Sequence, residues 1–209
     1  MALYHVEKGN DGWVLAIWEL TETTAELASL AGVWHDPTVG AVKSEKRERE
    51  YLAVRALLRE VFDKDLYVGH HSNGQPFLRN QTDRITISHT RRFAVVLTHP
   101  HRDVGVDIES LDRDFSAVEH RALSDREIAS LSQKERSLHL AILWSAKEAL
   151  YKCVLQEGVD FAAHIEVEPF VPQESGTLCA RFRYKDNREA HFSLKYKIFD
   201  NHILVYIFA

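Results

Sequence analysis

Val104-Gly105-Val106-Asp107-Ile108-Glu109 is the stretch that decides how the rest of the chain is read. Val104, Val106 and Ile108 alternate with Gly105, Asp107 and Glu109, the period of a strand with one apolar face. On such a strand Asp107 and Glu109 leave the same face, with Cα atoms about 6.5–7 Å apart. Two carboxylates so close repel, and one is driven toward its protonated form unless a cation sits between them. A hard divalent ion accepts oxygen ligands from such a pair, and Mg²⁺ typically combines one or two carboxylates with substrate phosphates. Gly105 is expected to leave space on that face beside the carboxylates. Taken alone, the pair also reads as a solvated strand edge.

Downstream, short helices are expected over residues 116–123 and 125–131, then a long helix over 135–156 stopped by Gly158. The end of the chain reads as a meander. Phe182 and Tyr184 alternate with basic residues, as do Phe192, Leu194, Tyr196 and Ile198 with Ser193, Lys195 and Lys197, and Asp200-Asn201 turns into a last strand over 203–208. Upstream, a strand is expected over Trp13–Trp18, a short helix over 22–30 and a longer one over 42–62. The longer helix carries an apolar face of Tyr51, Val54, Leu58 and Val61, and Ser44 is its candidate cap. Gly69–Pro76 reads as a loop around the Asn73-Gly74 turn, followed by strands at 77–79, 85–88 and 93–97. Long helices with antiparallel strands in each half make the fold α+β rather than alternating βα units. The expected architecture is two similar subdomains, 1–102 and 103–209, related by a pseudo-twofold. Each would be a long helix packed on an antiparallel sheet, with the active site in the cleft between them.

The composition fits this. The chain has 209 residues, 45% of them apolar and 27% charged, with a net charge of −5. Disordered and collagen-like classes are excluded, and bulk attraction to nucleic acid is not expected. Residues 1–102 carry 13 basic and 13 acidic side chains, whereas 103–209 carry 13 and 18, so the acidic excess lies in the second half. Cys153 and Cys179 form no framework, which suits a reducing compartment. With neither a signal-like start nor an apolar run long enough to span a bilayer, the expectation is a cytoplasmic protein with no membrane partner.

Three further constellations stand out. In Trp144-Ser145-Ala146-Lys147-Glu148-Ala149-Leu150-Tyr151-Lys152, residues Trp144, Glu148 and Lys152 form one stripe of the long helix. The plain alternative is an exposed Glu–Lys pair, but a leading Trp implies a partly buried face. Ile87-Ser88-His89-Thr90 places a hydroxyl and an imidazole at a strand end, where they can hold a phosphate. Residues 43–59 carry six basic and three acidic side chains, with Arg47, Tyr51 and Arg55 on one face. That run also reads as a solvated helix laced with ion pairs. His70-His71 and the pair His99 and His101 lack the context of a metal site and are read as loop histidines.

Together these elements resemble the 4′-phosphopantetheinyl transferases, specifically the larger, monomeric, surfactin-synthetase-activating type. Gly105-Val106-Asp107-Ile108-Glu109 is similar to the family's G-[IV]-D-x-E element. Trp144 to Lys152 is similar to its [FW]-[SCT]-x-K-E-[AS]-x-x-K element at every fixed position. Ser88-His89-Thr90, preceded by Gly74-x-Pro76, resembles the family's S-H-[ST] step. Lys46-Arg47 followed by Tyr51-Leu52-Ala53-x-Arg55 resembles a helix signature of related members. The strong resemblance covers residues 43–152. Many members carry Lys between that Gly and Pro, on a coenzyme A phosphate, whereas this chain has Gln75. Weaker coenzyme A binding and compensation by Arg47, Arg55, Arg79 or Arg91 are both open.

The resemblance implies a Mg²⁺-dependent transfer, Mn²⁺ being an acceptable substitute, with coenzyme A as co-substrate lying between the halves. Asp107, Glu109 and Glu148 would be the metal ligands. A serine of an apo acyl or peptidyl carrier protein would attack the β-phosphate, and adenosine 3′,5′-bisphosphate would leave. Such carriers serve fatty acid, polyketide or nonribosomal peptide biosynthesis. Glu148 would take the serine proton, directly or through a water, and Lys152 and His89 would neutralise the pyrophosphate. Ser88, His89, Arg47, Arg55, Gln75 and Lys152 would contact coenzyme A, a guanidinium suiting its 3′-phosphate. Lys147 would either touch phosphate or position the helix. The exposed 119–136 region is a candidate carrier-docking patch. Two alternatives use the same residues: a metal-dependent phosphodiesterase that activates water, and a non-catalytic relative that binds coenzyme A or a carrier.

Overall fold

A computed structural model describes residues 2–32, 44–62 and 66–209. It divides into two compact units, residues 1–102 and 103–209. The fold is α+β with antiparallel sheets.

The first unit contains β1 (Leu3–Lys8), β2 (Val14–Glu19), α1 (Thr24–Ala31), α2 (Glu45–Val61), β3 (Val68–His70), β4 (Pro76–Leu78), β5 (Arg84–His89) and β6 (Phe93–His99). Its main sheet has the order β1-β2-β6-β5. β1 escapes the sequence pattern because it is an edge strand and only Leu3 and Val6 supply aliphatic side chains. α1 begins in a capping box, in which the Thr23 hydroxyl accepts from the Glu26 N–H and Glu26 accepts from the Thr23 N–H.

α2 packs on this sheet. Leu52, Ala53, Val54, Ala56, Leu57 and Leu58 are all buried, with Val14, Ala16, Trp18, Ala94 and Val96 in the same core. More than the single expected face is therefore enclosed, and Tyr51 and Val61 are only half-buried. Ser44 is the N-cap residue, but its side chain makes no capping hydrogen bond. Val42 and Lys43, at the expected start of this helix, lie outside the described residues. The expected Gly69–Pro76 loop is instead the tip of a β3–β4 hairpin, in which Gly69 pairs with Phe77. Three-residue strands are too short for their period to show.

The second unit contains β7 (Val104–Ser110), α3 (Ser116–Ala122), α4 (Asp125–Ser130), α5 (Arg136–Val154), α6 (Phe161–His164), β8 (Ile165–Val167), β9 (Ser175–Arg183), β10 (Glu189–Phe199) and β11 (His202–Phe208). Its sheet has the order β7-β11-β10-β9-β8. The β10–β11 turn uses Asp200 and Asn201 at φ 45° and 60°, the left-handed pair that a tight hairpin demands. α5 lies on β7 and β11 and buries Leu143, Ala146 and Leu150 in one core with Ile203, Val205 and Ile207. It ends earlier than expected. Leu155 takes the left-handed conformation (φ 58°) and its N–H closes on the Tyr151 carbonyl, three residues before Gly158.

Two histidine expectations are corrected. His70 belongs to β3 and His99 to β6. His99 is buried, and its Nδ1 accepts from the N–H groups of His101 and Arg102 at 3.0 Å, which closes the turn after β6. No helix of the described residues is long and apolar enough to cross a membrane.

Candidate active site

The second unit assembles its polar side chains through one close approach. A Cβ on Gly105 would lie 1.9 Å from the Ala149 carbonyl oxygen and 3.0 Å from the Cys153 Cβ. The space expected beside the carboxylates is thus filled by α5 itself, and only glycine lets β7 and α5 come this close. The contact sets Asp107 against Lys152, with Oδ1 to Nζ at 2.7 Å, and Lys152 also donates to the Val106 carbonyl at 3.2 Å. Asp107 is 4% exposed.

Glu109, two residues on, accepts from Trp144 Nε1 at 2.9 Å and pairs with Arg113. Glu148 is half-buried on α5 and makes no hydrogen bond or ion pair among the described residues. The three carboxylates are close enough to act on one another. Burial first, and the Asp107 charge second, push both Glu109 and Glu148 above the usual carboxylate range. Arg113 and Lys152 pull both of them back. Glu148 also lines a cavity of about 580 Å³ with Trp144, Tyr151, Phe161, Arg113 and Arg121.

Lys147 adjoins Glu148 in sequence but faces elsewhere. It is 0% exposed, and its Nζ donates to Glu127 Oε2 at 2.7 Å and to the carbonyls of Ala122, Phe161 and Ile165 at 2.7, 3.0 and 2.6 Å. Glu127 in turn accepts from the Ser124 N–H and hydroxyl and from the Val167 N–H. Of the two roles open to Lys147, positioning is the one its geometry allows. It ties α3, α4, α6 and β8 to α5, and it has no access to a ligand.

In the first unit, the N-terminal half of α2, the β3–β4 hairpin and β5 surround a cavity of about 900 Å³. Arg47, Arg55 and His89 line it, as do Gly74 and Pro76 on either side of Gln75. Arg47 is exposed. Arg55 is buried, with its guanidinium over the Tyr51 ring and hydrogen bonds to the Tyr51 and Val68 carbonyls at 3.2 and 3.3 Å. Ser88 is buried on β5 beside the exposed His89. Glu50 is a buried carboxylate in the same wall, 3.4 Å from His89 Nε2 and 3.7 Å from Lys46 Nζ. Burial, followed by the Arg55 charge, holds the nearby His70 below the usual imidazole range.

Residues 103–207 match the family model of the 4′-phosphopantetheinyl transferase superfamily, and they make up half of the chain. The chain belongs to this superfamily. No curated protein matches it. It is a transferase of the 4′-phosphopantetheinyl kind, and the matched half contains Asp107, Glu109, Glu148 and Lys152 together. Ser88, His89, Arg47, Arg55 and Gln75 lie outside the matched segment.

Among the described residues, no three His, Cys, Asp or Glu side chains are arranged as a metal cage. Asp107 is held by Lys152, and Glu109 by Arg113 and Trp144. The donor chemistry nevertheless fits a hard divalent ion: every candidate ligand atom is a carboxylate oxygen, and the carboxylates repel until a cation arrives. Sequence reasoning missed Arg113, Glu50 and Glu127. Glu127 had a legible signal as the fourth residue of the Ser124 capping box, and Glu50 as the i+4 partner of Lys46. Arg113 had none, because a turn at 110–113, not a helix, returns it to Glu109.

Proposed function

We propose that this transferase is of the surfactin-synthetase-activating type. In that reading it moves the 4′-phosphopantetheine arm of coenzyme A onto a serine of an apo acyl or peptidyl carrier protein. The observation that carries the reading is the grouping of three carboxylates and Lys152 on β7 and α5 in the half that matches the family, with Glu148 alone uncommitted.

Arg47 and His89 bind the phosphates of the nucleotide, a guanidinium fork being suited to the terminal 3′-phosphate. Arg55 adds charge to the cavity wall while it joins α2 to β3, and Glu50 holds the His89 imidazole in place. These cations supply what Gln75 lacks. Asp107, Glu109 and Glu148 would hold Mg²⁺, or Mn²⁺, which when bound neutralises the diphosphate and makes the leaving group better. Glu148 accepts the proton of the attacking serine. Among the described residues Glu148 has no hydrogen-bond partner, which leaves its oxygens open to the serine hydroxyl. The serine oxygen bonds to the β-phosphorus, the bond from that phosphorus to the bridging oxygen breaks, and adenosine 3′,5′-bisphosphate departs with the bond electrons. Lys152 balances charge beside Asp107 as this happens. Arg113 and Arg121 present positive charge around the apolar cavity at Glu148, which suits an acidic carrier.

The test is mass spectrometry of apo carrier proteins of the fatty-acid, polyketide and peptide-synthetase kinds, incubated with coenzyme A, Mg²⁺ and this protein. Addition of one phosphopantetheine arm is expected. Unmodified carriers throughout would sink the reading, and coenzyme A cleaved without a carrier would replace it with the phosphodiesterase.

A further inference from the structure

Among the described residues, Arg113 touches these carboxylates but takes no part in the proposed bond changes. Its backbone is fixed. The Arg113 N–H donates to the Ser110 carbonyl at 3.1 Å, and the Leu111 N–H donates to the Asn201 carbonyl at 2.9 Å. The Asp112 carboxylate accepts from Asn201 Nδ2 at 2.8 Å. Its side chain is not enclosed: it is 45% exposed, and the guanidinium sits 5.1 Å from the Phe115 ring centroid and 5.4 Å from that of Trp144. A guanidinium over two ring faces and open to water can change its anion without moving the chain.

The partner it holds is Glu109, on the same oxygen that accepts from Trp144 Nε1. If Arg113 leaves, Trp144 still keeps that carboxylate in position. Charge counting points the same way. Among the described residues, three carboxylates face two side-chain cations, Lys152 and Arg113. A divalent ion added to this group leaves an excess of one positive charge, which the two negative charges of a diphosphate overturn.

We propose that Arg113 is an exchangeable counter-ion: it occupies Glu109 until a divalent ion takes that carboxylate, and it then turns to the diphosphate of coenzyme A. This rests on the metal reading above. It makes Arg113 a positioning residue that couples two ligands, so that each binds more tightly when the other is present. With neither ligand bound, the pair keeps Glu109 from standing as an unpaired, half-buried charge.

The experiment titrates Mn²⁺ into the full-length protein, followed by the electron paramagnetic resonance signal of the free ion, with and without coenzyme A. Arg113→Ala and Arg113→Gln remove the competitor, so Mn²⁺ alone is expected to bind them about two- to fivefold more tightly than it binds the wild type. The factor by which coenzyme A tightens Mn²⁺ binding is expected to fall in both, and Arg113→Lys, which keeps the charge, is expected to preserve it. Mn²⁺ affinity unchanged or weakened in both neutral variants overturns the proposal, as does undiminished coupling. Absence of Mn²⁺ binding in the wild type as well as the variants overturns the metal reading together with the proposal, whereas equal binding in all of them overturns only the role of Arg113.

Discussion

The cavity beside α2 and the carboxylate group on β7 and α5 are built on opposite electrostatic plans. In the first, cations reach an open space while, among the described lining residues, a single carboxylate, Glu50, is buried behind them and touches Lys46 and His89. In the second, carboxylates form the buried part, and the cations reach them from half-exposed positions. The first arrangement is ready for an anion as it is. The second already has Lys152 on Asp107 and Arg113 on Glu109, and in the reading proposed above Arg113 gives up Glu109 when a cation binds. Glu148 is the exception: among the described residues it has no partner, which is what the proposed role in taking a proton requires.

The largest effect is expected at Glu148. Glu148→Gln is expected to lower the transfer rate by about 10²–10⁴-fold, the usual contribution of a general base, while the protein stays folded. Retained transfer, measured by carrier mass, would remove Glu148 from that role. Because one of three mutually repelling carboxylates is lost, the metal-free variant is also expected to melt higher than the wild type, by about 2–4 °C.

Next in size is the contrast between two lysines of α5. Lys147→Met leaves Glu127 buried without its cation and is expected to cost about 3–5 kcal/mol in urea unfolding. Lys152→Met, at a half-exposed position, is expected to cost far less stability and to impair transfer instead. Equal stability losses would contradict the distinction between a strut and a working group.

Gly105→Ala tests the approach that joins strand and helix. Its Cβ meets a backbone oxygen that cannot rotate away, so a loss of about 1–3 kcal/mol is expected, together with weaker transfer as Lys152 and Asp107 separate.

On the other side of the comparison, Arg47→Ala is expected to raise the coenzyme A KM by about tenfold, the effect of losing a charge-assisted pair, with the melting temperature unchanged. Arg55→Ala is expected to lower the melting temperature as well, because Arg55 joins α2 to β3. A change in KM without a change in stability for Arg55 would mean that it acts as freely as Arg47.

The smallest effect concerns pH. His139 is buried, its Nδ1 accepts from the Ser132 N–H at 3.0 Å, and burial holds it below the usual imidazole value of 6.5. The unfolded chain therefore takes up this proton first as pH falls. The stability His139 contributes is present above pH 6.5 and is lost on acidification through its lowered folded-state value. His139→Leu is expected to flatten the decline in melting temperature between pH 6.5 and 5.5; an unaltered slope would refute this.

The pattern of legibility follows from what each residue depends on. Asp107 and Glu109 were readable because strand alternation alone puts them on one face, and Glu148 and Lys152 because one helical turn separates them. Arg47, Arg55 and His89 stood out as residue types suited to phosphate, and the structure places all three around one cavity. The partners were not. Nothing near Lys147 in sequence announces the Ala122, Phe161 and Ile165 carbonyls, and nothing near Glu109 announces a guanidinium returned by a turn. Edge strand β1 and the three-residue β3 were invisible because tertiary pairing, rather than local periodicity, makes them strands, whereas β4 was expected one residue later than it lies.

By itself, then, the sequence determined the α+β class and the two acidic motifs, since both follow from local periods of two and 3.6 residues. Tertiary structure alone decided which charges are neutralised and which is left open. It buried Lys147 among carbonyls, closed Gly105 onto α5, placed Arg113 on Glu109 and left Glu148 without a partner among the described residues. The physical reason is range: alternation and helical spacing are fixed within a few residues, but burial and ion pairing depend on groups brought together from distant parts of the chain.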